Sequence, residues 1–175
     1  MPNLPHNQKT KTKTNMSDLS PLSISLDITQ TSTQIPVIVD KHHCRVRLAN
    51  LGEKTSEKGK MISFEYHLLD PAPTTDGGQV KPGFPIFENI TLFDKNTPPG
   101  QIPDWVMPKI SKRIDAMLGT GDPDNKAGKP PRPAFSAALV PDLIGKELIL
   151  VVKVKTGDYT GNDVVEVIYP GDVKK

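Results

Sequence analysis

The sequence predicts a mainly β fold: a five-stranded barrel with one helix between strands three and four. Five segments alternate apolar and polar side chains with the period of two that a half-buried strand requires. A single segment, IPDWVMPKISKRIDAMLGTG, instead repeats apolar residues at helical spacing. A barrel fits this order because closure removes the edges that such apolar strands would otherwise expose. A small sandwich would produce a similar pattern.

A basic loop joins the first two predicted strands. In HCRVRLANL, Arg45 and Arg47 lie opposite the apolar face, and in MISFEYHLL, Phe64 and Tyr66 belong to the inward face. Between these runs stands GEKTSEKGK. From residue 41 to residue 60, six basic residues stand against two acidic ones, and neutralisation of backbone phosphates requires a flexible cationic loop of this kind. A solvated hairpin would need no partner, and the sequence favours the two interpretations equally.

The third strand and the helix follow a Pro/Gly turn region, DPAPTTDGGQVKPG. The run FPIFENITLF places Phe87 and Phe93 opposite its aliphatic face. Glu88 falls on the apparently inward side, which leaves the register of this strand open. In the helical segment, Pro108 suits the first turn and Gly119 suits the C-terminal stop.

The last two predicted strands are KELILVVKVK and NDVVEVIYP, joined by the turn TGDYTG. Lys153 and Lys155 point away from the apolar face of the fourth strand. Tyr159 lies between the two glycines of the turn, where little core is available to it. The order strand, strand, strand, helix, strand, strand is the order that an OB-fold requires.

The composition divides the chain into four parts. Residues 1–17 contain three lysines and no acid, which predicts a disordered basic tail. Residues 18–35 form an extended lead-in, residues 36–170 the OB-fold nucleic-acid-binding domain, and residues 171–175 a C-terminal tail. The single cysteine cannot form an internal disulfide, and no apolar run approaches the roughly 20 residues of a membrane span. We therefore expect a soluble, cytoplasmic protein.

The candidate site follows from how an OB-fold binds its ligands. Such folds bind across strands two and three, between the loop that joins strands one and two and the loop that joins strands four and five. Cations on this surface contact phosphates, and aromatic faces stack on bases. Phosphate contacts are expected from Arg45, Arg47, Lys54, Lys58, Lys60, Lys153 and Lys155, and stacking from Phe87, Phe93 and Tyr159. The only tryptophan, Trp105, is expected to anchor the helix, with stacking as the second interpretation.

The sequence carries no recognisable catalytic constellation. It lacks a phosphate-binding G-x-x-x-x-G-K-[ST] loop, a G-x-G-x-x-G turn, H-E-x-x-H and G-x-S-x-G. In KHHC, side chains at consecutive strand positions alternate between faces and cannot all reach one ion. We therefore expect no enzyme activity, no metal and no cofactor.

Several turns resemble those of phage-encoded OB-fold proteins that bind single-stranded DNA. The similar features are RVRLANLGEKTSEKGKMISFEYHLLD, a helix ending in MLGTGD, and DLIGKELILVVKVKTGDYTGNDVVEVIYP. The resemblance covers roughly residues 30–170. It implies an OB barrel without enzymatic activity that binds single-stranded DNA with little sequence preference.

The predicted function is protection of single-stranded DNA during phage replication or recombination. Further predicted partners are replication or recombination proteins and a second copy of the chain. The alternative is a non-enzymatic barrel that binds protein within a phage assembly. A metal-dependent nuclease is a weaker alternative, since it would need a carboxylate cluster.

Overall fold

A computed structural model describes residues 35–57, 59–93, 97–98, 101–121, 128–157 and 160–173. These residues form a mainly β structure with few helices, as the alternation predicts. The strands are β1 (His43–Ser56), β2 (Gly59–Leu68), β3 (Ala72–Pro73), β4 (Gln79–Val80), β5 (Pro85–Phe93), β6 (Glu147–Lys155) and β7 (Gly161–Ile168). The helices are α1 (Val106–Leu118), α2 (Val140–Leu143) and two 3₁₀ turns (Ala137–Leu139 and Pro170–Asp172). The predicted tail at 1–17 and nearly all of the predicted lead-in at 18–35 lie outside the described residues.

Five strands form one antiparallel sheet in the order β5-β2-β1-β6-β7. The prediction of a closed barrel is not met, because among the described residues β5 and β7 pair with one neighbour each and remain the two edges of the sheet. Both edge strands carry an extra residue in their ladders, Leu92 in β5 and Val165 in β7. Such bulges bend and twist a strand and interrupt its pairing.

The predicted position of the helix also differs from the structure. Strands β3 and β4 form a separate two-stranded sheet inside the region predicted as a turn, so α1 lies between the fifth and sixth strands of the chain. The turn between β3 and β4 is stabilised by Asp76, whose carboxylate accepts hydrogen bonds from the Thr74 hydroxyl and from the Gly78 amide at 3.1 Å. These two donors lower the pKa of Asp76.

The core lies between one face of the five-stranded sheet and α1. Alternation places the inward side chains as the sequence predicts, and Phe64 and Tyr66 are fully buried with nearly parallel rings 5.9 Å apart. Helix α1 contributes an apolar stripe to the same cluster. The buried side chains of that stripe are Val106, Ile110, Ile114 and Met117. Burial of this stripe fixes α1 across the sheet.

Helix α1 ends where the sequence predicts, at Gly119. This residue is left-handed, with φ of 68°, and its N–H donates to the Asp115 carbonyl at 2.8 Å. A Cβ at position 119 would stand 2.8 Å from the Tyr169 ring. Glycine is therefore required both for the backbone conformation and for the close approach of Tyr169.

The Cys44 thiol is buried in the core, and burial raises its pKa to about 11 from a usual value of 9.0. We expect it to be unreactive towards a disulfide reagent in the native protein at neutral pH and fully reactive in urea.

The pKa of the Cys44 thiol is higher in the folded protein than in the unfolded one. Its contribution to the free energy of unfolding is therefore fully present below about pH 9 and is lost as the pH rises towards 11. Urea unfolding of the wild type and of Cys44→Ala at both ends of this window measures the difference. If the free energy of unfolding changed equally with pH in the two proteins, the raised pKa of Cys44 would be contradicted.

Candidate nucleic-acid interface

The candidate interface is the outer face of the sheet, defined as the side chains of β1, β2, β5 and β6 that alternate with the buried ones. On the edge strand β5 it presents the ring of Phe87, which is 58% exposed and stands opposite Glu65 of β2. Phe93 is 38% exposed at the end of β5, where it stands opposite Lys60 beyond the extra residue Leu92, on the side of the sheet to which Ile62 points. The exposed ring on this edge strand is the feature of the outer face that agrees with the predicted stacking residues, whose role stays a prediction.

The two arginines of β1 share one carboxylate. Arg45 donates to Glu147 of β6 through Nη2 at 2.9 Å and Nε at 3.3 Å, and Arg47 donates to the other oxygen of Glu147 at 3.3 Å. Asp70 lies 3.8 Å from Arg45. The arginine hydrogen bonds lower the pKa of Glu147, and the same bond to Glu147 raises the pKa of Arg45. The sequence analysis missed Glu147, which orients both guanidinium groups and partly neutralises them.

The predicted basic loop is largely strand. Strands β1 and β2 continue to pair up to Ser56 and Gly59, so most of GEKTSEKGK forms a projecting hairpin rather than a flexible loop. The reason is that polar side chains on both faces suit a hairpin that extends beyond the core. Lys54 is exposed in this hairpin and has no ion pair with a described residue, whereas Lys60 pairs with Glu53.

The remaining predicted contacts fall into two groups. Lys153 and Lys155 lie exposed in β6, and the Lys155 amine is 3.7 Å from Asp163 of β7. Lys58 and Tyr159 lie outside the described residues. The structure thus brings the predicted residues of β1, β2, β5 and β6 onto one sheet.

A groove of about 1190 Å³ runs between the two sheet edges, with walls from β5, β7 and α1. In its wall Glu88 points inward and accepts hydrogen bonds from Arg113 of α1, one of them from Nε at 3.1 Å. The Tyr66 hydroxyl also donates to Glu88, at 3.3 Å. Burial, followed by the charge of Glu88, raises the pKa of Tyr66 well above its usual value. The inward position of Glu88, left open by the sequence pattern, therefore serves to tie β5 to α1.

Trp105 stands directly before α1 on the same groove, and its side chain is 50% exposed. Half of the indole is therefore covered and half is open to solvent, and the expectation that Trp105 anchors the helix stays a prediction. The Lys109 amine lies 4.7 Å from the centre of the indole ring, within the range of a cation–π contact.

The described part of the chain holds no group of three or more His, Cys, Asp or Glu side chains placed to bind a metal ion. Within the same residues, no helix is long and apolar enough to cross a membrane.

No protein-family model matches this chain, and no curated protein matches it. The resemblance to phage OB-fold proteins therefore stays a prediction that rests on the turns quoted above.

Proposed function

We propose that this protein binds single-stranded DNA, largely without sequence preference, along the outer face of its sheet. The observation that carries the proposal is the exposed ring of Phe87 on β5, which lies on the same face of the sheet as Arg45 and Arg47 of β1, two strands away. Bases of every type have a π face, so stacking on such rings is tolerant of sequence. Protection of DNA during phage replication or recombination is the biological setting that we propose for this binding.

The strand arrangement supports an OB-type fold for this purpose. Within the five-stranded sheet, the spatial order runs third, second, first, fourth and fifth along the chain. Counted in the same way, α1 follows the third strand of the sheet. We propose that the sheet is a partly open OB barrel in which β2 and β5 are the ligand-binding strands. The β1–β2 hairpin and the β6–β7 turn would then flank the DNA.

In the proposed mechanism, two interactions contribute to the free energy of binding: neutralisation of phosphates and stacking on bases. Cations on β1 and β6 neutralise phosphates and release counterions, which makes binding salt-dependent. Stacking on Phe87 and Phe93 contributes about 1–3 kcal/mol per base. Glu147 accepts hydrogen bonds from both Arg45 and Arg47, so phosphates bind these arginines in competition with its carboxylate.

The proposal is tested by fluorescence anisotropy of labelled oligo-dT and of a duplex of equal length, over a series of salt concentrations. Preferential binding to the single strand, with a log–log salt slope of about −0.7 per phosphate contact, supports it. Absence of binding to either substrate at low salt would exclude it.

Glu147→Gln is expected to strengthen binding to oligo-dT several-fold and to steepen its salt slope. The carboxylate competes with phosphates for Arg45 and Arg47, and its charge is lost in the variant while the side-chain shape is kept. Glu57→Gln, an acid elsewhere in the hairpin, is the matched control for a change of one charge. Weaker binding by Glu147→Gln than by the control would show that orientation of the arginines matters more than competition.

A second candidate function is a protein-binding module, because the structure has two strand edges. Both β5 and β7 present one side without a strand partner among the described residues, and an extended peptide can pair with such an edge. This candidate predicts that neutralising Lys54 and Lys153 leaves DNA affinity unchanged at every salt concentration.

A further inference from the structure

The N-terminal end of α1 exposes an aromatic and basic stripe that the proposed outer face does not use. Trp105, Lys109 and Lys112 are spaced at i, i+4 and i+7, so they share one side of the helix. All three are exposed, and all three line the groove between β5 and β7. Phe87 lines the same groove from the side of β5. The groove thus begins at an aromatic residue of the outer face and continues to a second aromatic residue on α1.

The charges of the groove are unevenly distributed. Arg113 pairs with Glu88, Lys129 with Asp172, and Lys155 approaches Asp163. Asp115 of α1 pairs with Arg132, which does not line the groove. The charged side chains of the lining that then have no ion pair with a described residue are Lys109 and Lys112 on α1 and Glu166 on β7. The α1 wall is therefore cationic, whereas the β7 wall has an acid.

We propose that α1 carries a second subsite for single-stranded DNA, in which a base stacks on Trp105 while Lys109 and Lys112 contact the adjacent phosphates. The strand reaches this subsite from Phe87 by crossing the edge of β5. This inference rests on the proposed function and extends it from the sheet to the helix.

Nucleic acid fits this stripe better than an extended peptide does. A peptide strand would use the backbone edges of β5 and β7 and would have no need of a half-exposed indole with two lysines on one helix face. Single-stranded nucleic acid offers π faces to Trp105 and regularly spaced negative charges to the lysines. The acid on the β7 wall favours a path along α1 rather than through the middle of the groove.

The experiment uses the intrinsic fluorescence of the unmodified full-length chain, since Trp105 is its only tryptophan. The protein is titrated with oligo-dT of about 5 and about 16 nucleotides, which span the usual site sizes of one OB fold. Anisotropy of labelled oligonucleotides determines binding independently. We expect the long oligonucleotide to quench Trp105 in step with binding, and the short one to bind the outer face with less quenching.

Two variants make the test quantitative. Trp105→Ala is expected to weaken binding of the long oligonucleotide by about 5- to 150-fold, the range that corresponds to loss of one stacked base. Lys109→Gln/Lys112→Gln is expected to make the salt slope shallower by about 1.4, or 0.7 for each phosphate. The control is Lys81→Gln/Lys146→Gln, which removes the same charge from exposed positions that do not line the groove.

Failure of the subsite and failure of the proposed function give different results. If anisotropy shows saturation with the long oligonucleotide while Trp105 emission and the variant slope are unchanged, the subsite is excluded and the sheet remains the site. The groove is then left to another class of ligand, such as an extended peptide. If neither oligonucleotide binds at low salt, the function itself is excluded. The quenching measurement needs no substitution, so it remains decisive even if Trp105→Ala fails to fold.

Discussion

Arg113→Met is expected to lower the free energy of unfolding by about 3–5 kcal/mol, the largest effect of any substitution considered. The side chains of Arg113 and Glu88 are only 7% and 11% exposed, and they bind each other between α1 and β5. Removal of the guanidinium leaves a carboxylate in an apolar setting, with Tyr66 as its remaining partner. The cost comes mainly from this uncompensated charge. Urea unfolding followed by circular dichroism measures it.

A double-mutant cycle separates the charge from the loss of packing. Arg113→Met/Glu88→Gln keeps an oxygen acceptor for Tyr66 and removes the charge, so it is expected to recover a large part of the lost stability. Arg47→Met is the control, because this exposed arginine is one of two partners of Glu147, and its loss is expected to cost at most about 1 kcal/mol. If Arg113→Met were no more destabilising than Arg47→Met, the pair would not tie α1 to the sheet.

Phe87→Ala is expected to weaken binding of oligo-dT by about 5- to 150-fold, corresponding to about 1–3 kcal/mol for one stacked base. Its side chain is exposed, so the substitution is expected to change the stability of the fold by no more than about 0.5 kcal/mol. Phe93→Ala is expected to weaken binding less, because more of that ring is covered and because it stands opposite Lys60, beyond the extra residue Leu92. Anisotropy titrations at a fixed salt concentration provide the comparison.

Two controls identify stacking as the cause. Phe87→Leu keeps most of the apolar surface but removes the π face, so it should bind nearly as weakly as Phe87→Ala. Ile144→Ala removes an exposed apolar side chain from the turn before β6 and should leave affinity unchanged. Wild-type affinity in Phe87→Leu would instead indicate apolar contact, and wild-type affinity in Phe87→Ala would remove this ring from the interface.

The alternation of side chains predicted the two faces of the main strands well. A period of two decides which residues share a face, and it placed Phe64 and Tyr66 in the core and Phe87 on the outside without any tertiary information. The end of α1 could also be predicted from the local sequence, because Gly119 adopts the left-handed conformation that few other residue types adopt.

The features that the sequence did not predict depend on contacts between distant segments. The inward position of Glu88 requires its partner Arg113, which is 25 residues away and reaches it from α1. The role of Glu147 likewise needs the pairing of β6 with β1, since Arg45 is 102 residues away. Whether β5 pairs with β7 depends likewise on residues about 75 positions apart, and neither strand has a local pattern that shows it lies at a sheet edge.

The central claim, that single-stranded DNA lies on the outer face of the sheet, is tested most directly by amide chemical shifts of ¹⁵N-labelled protein with and without oligo-dT. The account predicts that shifts concentrate in the strands of the outer face, β1, β2, β5 and β6, around Arg45, Glu65 and Phe87, and that the amides of β3 and β4 stay unchanged. Unchanged spectra at a saturating concentration, or shifts confined to β3 and β4, would contradict it.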